Sequence, residues 1–130
     1  VLDVVVIDDD SDFLNLVTTQ LRRQMQVRVT TFRQGRVALA HLFEAERQTV
    51  DLVIIDLLLP DISGYEIVSE IRKHPKTTGV PCLIASARNG LEEHARADEV
   101  GADAFLEKPF RTRELVDLVE KLATKGRRSA

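Results

Sequence analysis

The sequence predicts an α/β domain built on a parallel five-stranded sheet, and three observations carry that prediction. Strand-like and helix-like segments alternate five times along the chain. At 130 residues there is room for one domain and not two. The chain is 44% apolar and 30% charged, ordinary values for a globular chain with a sizeable core. No apolar run approaches the roughly 20 residues of a membrane helix, and no signal peptide is visible. The chain begins at Val1 and not Met, as an excised domain or a trimmed terminus would. One cysteine makes no internal disulfide and is too few for a metal cluster, so the sequence reads as cytoplasmic. A net charge of −3 speaks against a nucleic-acid groove, which wants a basic face. Five Phe, one Tyr and no Trp supply no base-stacking platform.

Each element has its own reason. Val4 to Ile7 is a β-branched run too short for a helix, ended by Asp8, Asp9 and Asp10. From Asp12 to Met25, Leu14, Val17 and Leu21 form a helical stripe. Val27 to Phe32 alternates apolar and polar residues, the pattern of an edge strand wet on one face. Gly35 opens a second helix with Ala38, Leu42 and Ala45 on one face. Asp51 to Asp56 encloses the most apolar strand, expected at the sheet centre. Leu57 to Ser63 is a loop punctuated by Pro60 and Gly64. Tyr65 to His74 is a third helix, with Ile67, Val68 and Ile71 inward and Pro75 as its stop. Pro81 to Ala85 is a fourth strand, and Asn89 to Val100 a helix poor in large apolar residues. Ala104 to Leu106 is a short fifth strand. Thr112 to Ala123 is a fifth helix on Leu115, Leu118, Val119 and Leu122, and residues 124–130 read as a linker start or frayed end.

Right-handed β-α crossovers place these strands in parallel. An alternating second strand and a short fifth suit the edges, giving the flavodoxin-like doubly wound order 2-1-3-4-5. In such sheets ligands sit beyond the strand carboxyl ends, at the switch point between strands 1 and 3. At those ends stand Asp8, Asp9 and Asp10, then Asp56, Ser86 and Lys108. Clustered carboxylates repel, so the site needs a raised pKa or a cation. An all-oxygen donor set suits a hard divalent ion, above all Mg²⁺. With a lysine and a hydroxyl facing it, such a pocket is arranged for a phosphoryl group held on a carboxylate.

The motifs VVVIDDD, DLVIIDLLLPDISG, LIASAR and GADAFLEKPF, in this order and spacing, resemble the receiver domain of two-component response regulators from residue 2 to about residue 123. The resemblance implies a domain over residues 1–123 that acts as a phosphorylation-controlled signalling switch. It implies Asp56 as phosphoacceptor, Asp9 as a direct Mg²⁺ ligand, Asp8 acting through a metal-bound water, and the Leu58 backbone carbonyl as a further ligand. Lys108 would pair with phosphoryl oxygens, Ser86 would bond one of them, and Phe105 would be the aromatic switch residue. Lys108-Pro109 would be a cis peptide. The implied partners are a sensor histidine kinase or histidine phosphotransfer protein, a downstream output domain or protein, and a second copy in a phosphorylation-dependent dimer. Membranes and nucleic acid are not expected as direct partners. Such a domain assists its own phosphorylation and dephosphorylation and is not classed as an enzyme.

Some positions depart from the family pattern. Ser86 stands where Thr is common, and Ser63-Gly64 where Asp-Gly is common, with the glycine expected to serve a tight turn. In the branch with winged-helix DNA-binding outputs, dimers use a basic residue on helix 4 and an acid late in strand 5; here those places hold His94 and Ala104. Leu58 and Arg88 are expected to flank the path of a hydrolytic water and to lengthen phosphoryl life. Asp10 or Ser11 is expected to cap helix 1, Cys82 to be a buried small hydrophobe, and Tyr65 and Ile62 to pack near the loop. His41, His74 and His94 lack metal-ligand spacing and read as solvated helix residues. Among rival readings, a haloacid-dehalogenase-like phosphatase needs an acid where Leu58 stands. A dinucleotide fold lacks its Gly-rich turn here. A pseudo-receiver that only binds partners is expected to have lost an acid, the acceptor or the lysine.

Overall fold

The structure is a computed structural model that describes residues 1–44 and 50–129, the last five of these by backbone alone. Five strands and five helices alternate: β1 (Leu2–Ile7), α1 (Ser11–Gln24), β2 (Val27–Phe32), α2 (Gly35–Glu44), β3 (Leu52–Ile55), α3 (Gly64–Lys73), β4 (Cys82–Ser86), α4 (Leu91–Val100), β5 (Ala104–Glu107) and α5 (Thr112–Ser129). The strands pair in the order β2-β1-β3-β4-β5, every pair parallel, as expected. No helix among the described residues is long and apolar enough to cross a membrane.

The two-residue period of a strand sorts its side chains onto two helical layers. Val5, Ile7, Val53, Ile55, Cys82 and Ile84 pack with α2 and α3. Val4, Val6, Leu52, Ile54, Leu83, Ala85 and Leu106 pack with α1 and α5. All four residues of β3 are buried, because helices cover both faces of a central parallel strand. In β2 exposed and half-buried positions mix, as at an edge.

The helix ends follow local chemistry. Asp10 caps α1, its carboxylate accepting the N–H groups of Asp12 at 2.9 Å and Phe13 at 3.4 Å. Ser63 caps α3 by accepting the Glu66 N–H. By contrast α4 starts at Leu91 and not at Asn89, because Gly90 is its N-cap and has no side chain to cap with. α4 buries only Ala97, and Leu91 is 92% exposed, so this helix is the least anchored of the five. The backbone of α5 runs to Ser129, six residues past the expected end at Ala123. No proline interrupts that stretch, and its one glycine, Gly126, costs only about 1 kcal/mol in a helix interior. Ala45, expected on the inner face of the second helix, lies outside the described residues.

The histidines depart from expectation. His41 tilts against Phe32, His74 stacks on Phe43 and His94 stacks on Phe105, so each is half-buried against an aromatic ring. Cys82 is buried as expected, and that burial pushes its thiol up to about 12.

Candidate functional site

The crevice is a consequence of strand register. Ile7 pairs with Ile55 at the carboxyl ends of β1 and β3, so the next residues, Asp8 and Asp56, emerge side by side. Ser86 ends β4, opposite Glu107 of β5, and the Lys108 N–H donates to the Ser86 carbonyl at 2.9 Å. Lys108-Pro109 is cis, as expected. The register therefore places the acids at the switch point and carries the lysine over them.

Asp8, Asp9 and Asp56 each offer an oxygen, and these atoms all lie within 4.8 Å of one another. Asp8 is buried at 1% exposure, Asp56 is half-buried and Asp9 is exposed. The Lys108 Nζ donates to Asp8 Oδ2 at 2.7 Å and lies 3.9 Å from Asp56 Oδ1. Asp8 Oδ1 also accepts the Asp10 N–H, and Asp56 Oδ1 the Leu57 N–H, both at 2.9 Å. Burial pushes the Asp56 carboxyl up to about 6. Lys108 and the Leu57 N–H pull it down, while Asp8 and Asp9 add to the rise. One lysine thus faces three acids, and the surplus negative charge, with an all-oxygen donor set, fits a hard divalent cation such as Mg²⁺.

Ser86 is buried, and its Oγ accepts the Arg88 N–H at 3.1 Å. Phe105 is half-buried on β5, with its ring 4.1 Å from that of His94. His94 Nε2 lies 3.2 Å from Glu107 Oε1, so α4 rests on β5 through a stack and a polar contact. Leu58 is 56% exposed at the crevice rim. Arg88 turns its guanidinium toward Glu93 of α4, 3.8 Å away. Leu58, Tyr65, Arg88 and Arg96 line a cleft of about 290 Å³ beside the loop that follows β3.

Some features were not foreseen from the residues. Gly64 has no positive φ, so a tight turn is not what requires a glycine there. A Cβ at this position would stand 2.4 Å from the Asp56 carbonyl oxygen and 2.9 Å from Leu57 Cα. The glycine is needed because α3 starts directly against the Asp56–Leu57 backbone. Asp61 ties that same loop to α2 by accepting the N–H groups of Gly35 and Arg36. Arg33 donates to the Asp9 carbonyl at 3.2 Å. Tyr65, expected only to pack near the loop, carries the Arg96 guanidinium over its ring at 4.5 Å and reaches the Glu93 carbonyl. Phe13 lies under the Lys108 ammonium, 3.8 Å from Nζ to ring centroid. Apart from the Gly64 packing, these contacts join residues more than twenty positions apart, so no local pattern announces them.

Relatives share this architecture. A curated relative, the regulatory protein VanRc of Enterococcus gallinarum, is 33% identical over 117 residues, covering 90% of this chain and 48% of its own length. The chain spans about half the length of the curated relatives it matches. A putative response regulator from Chloroflexus aurantiacus J-10-fl superposes with a TM-score of 0.86 at 29% identity, covering 95% of this chain and 98% of its own. Vibrio cholerae chemotaxis protein CheY4 does so with a TM-score of 0.83 at 26% identity, covering 93% and 98%. Residues 4–120 match the response regulator receiver domain, and with the parallel 2-1-3-4-5 sheet the chain belongs to that family.

Proposed function

We propose that the domain is a phosphorylation-controlled signalling switch that takes a phosphoryl group onto Asp56. The observation that carries this is the gathering of Asp8, Asp9 and Asp56 within 4.8 Å, with Lys108 bonded to Asp8 and 3.9 Å from Asp56. The donor is a phosphohistidine on a sensor kinase or phosphotransfer protein. An Asp56 carboxylate oxygen attacks the phosphorus. The oxygen–phosphorus bond forms as the nitrogen–phosphorus bond breaks, and the electron pair stays on the imidazole, which takes up a proton. With a carboxyl at about 6, Asp56 is mostly ionised at neutral pH and needs no base.

Asp8, Asp9, Asp56 and the Leu58 carbonyl would hold Mg²⁺, Asp8 through a water. When bound, the ion supplies positive charge that offsets repulsion between the carboxylate and the anionic phosphoryl group. Lys108 supplies the protein's own share of that charge. The Ser86 hydroxyl donates a hydrogen bond to a phosphoryl oxygen. That draws the end of β4 inward, and Phe105 fills the space vacated. α4 moves most readily, because Ala97 is its one buried residue and its other anchors, the His94–Phe105 stack and the contacts of Glu93 and Arg96 with Tyr65, lie nearer the surface. The output is then a change of the α4-β5-α5 face, read by a downstream domain or protein or by a second copy.

Acetyl phosphate with Mg²⁺ is expected to add the mass of one phosphoryl group, and Asp56→Asn to abolish the gain. Amide exchange with beryllofluoride is expected to change most between residues 86 and 110. Continued labelling of the Asn variant refutes Asp56 as acceptor, and failure to take up beryllofluoride supports a pseudo-receiver instead.

A further inference from the structure

We infer that Phe13 is a positioning residue for Lys108, holding the ammonium over the crevice through its ring face. This rests on the site reading above.

The ammonium has three protons and a demanding position. In the structure its hydrogen-bonded partner is Asp8, at 2.7 Å, and Asp56 Oδ1 lies 3.9 Å away. Both are acids of the candidate cation site, so a divalent ion competes for the oxygens that hold the lysine. The Phe13 ring does not compete. It attracts a cation through its quadrupole, accepts no metal and uses no acceptor oxygen. With Nζ at 3.8 Å from the centroid, the ammonium is in contact with the ring. The Lys108 side chain is only 20% exposed, where such an attraction is screened less than at a bare surface.

The ring is itself held. Its backbone N–H points to the Asp10 cap, so the turn that carries Asp8 and Asp9 also places Phe13. Phe110 meets it edge to face, with centroids 6.0 Å apart and planes at 86°. Phe110 lies two residues past Lys108, so one aromatic pair spans from α1 to the segment bearing the lysine. Phe13 also packs partly against the α1-α5 core, so a purely structural role must be told apart from this one.

The test is a double-mutant cycle on the full chain, read as beryllofluoride affinity in Mg²⁺ and as the rate of phosphorylation by acetyl phosphate. Phe13→Leu is expected to weaken affinity and rate about five-fold, and Phe13→Tyr to keep both within about two-fold. In a Lys108→Met background, Phe13→Leu is expected to change beryllofluoride affinity less than about 1.5-fold. Equal loss in both backgrounds, or no loss in the first, overturns the inference. If Lys108→Met alone leaves affinity and rate at the parent level, the reading of the site fails first. Mono-, di- and trifluorinated phenylalanine at position 13 preserve the fold while draining the ring face. A stepwise fall in rate across that series supports the inference, and a flat series overturns it.

Discussion

Replacing Asp56 by Asn should make the domain more stable at alkaline pH and leave its stability unchanged in acid, in the absence of divalent cations. The folded protein holds the Asp56 proton up to about pH 6, against an ordinary 3.8, chiefly because the carboxyl is buried. Between those values the folded state binds more protons than the unfolded chain, so stability falls as pH rises. The contribution is fully present below about pH 4 and lost above about pH 6. A shift of about two units corresponds to ~3 kcal/mol. The crevice opens to solvent, and screening there reduces this to roughly 1–2 kcal/mol. The Asn side chain is uncharged at every pH and can still accept the Leu57 N–H, so it escapes the loss. Urea denaturation followed by far-UV circular dichroism in EDTA, from pH 4 to pH 8, measures the difference. The expected gap is near zero at pH 4 and about 1–2 kcal/mol in favour of Asn at pH 8, or roughly 3–8 °C in Tm. Adding Mg²⁺ should shift the balance toward the parent, since Asn removes one of the three acids that would hold the ion and a ligand at a hundred times its Kd stabilises the folded chain by about 2.7 kcal/mol. A gap that does not vary with pH, or an Asn variant less stable at pH 8, refutes the claim that burial outweighs Lys108 at this carboxyl.

Three further outcomes follow from particular contacts. Gly64→Ala should destabilise by about 1–3 kcal/mol in urea and slow phosphorylation, since the new methyl would meet the Asp56 carbonyl oxygen at 2.4 Å; a silent substitution would show that the acceptor loop yields freely. Asp9→Ala should weaken Mg²⁺ binding at least ten-fold (~1.4 kcal/mol) in a calorimetric titration, while exposed Asp12→Ala, on α1, changes it less than about two-fold; equal losses would place the cation elsewhere. Leu58→Asn or Arg88→Glu should speed loss of the phosphoryl group several-fold after donor removal, because the parent residues provide no acid or amide to orient water; unchanged decay in both variants would remove these two residues from the water path.

The sheet was legible from side-chain patterning because burial on two faces and burial on one leave different signatures in a strand. Leu52–Ile55 is continuously apolar and lies at the centre, while Val27–Phe32 alternates and lies at the edge. The order of strands in turn makes Asp8, Asp56, Ser86 and Lys108 neighbours, since residues at the carboxyl ends of parallel strands must converge. What local pattern could not reveal were distances across the chain. That His94 lies on Phe105 and that Phe13 lies beneath Lys108 join segments from separate β-α units, and that Gly64 is pressed against the Asp56 backbone depends on how α3 folds back on the end of β3. The extension of α5 past Ala123 escaped for another reason. No buried stripe marks those residues in the sequence, and backbone hydrogen bonding is what carries the helix on to Ser129. Periodicity records which face a residue turns to the core, and so it determined the architecture and the residues of the crevice. The packing of one unit on the next decided which side chains touch, and with them how the lysine is held and how firmly each helix is seated.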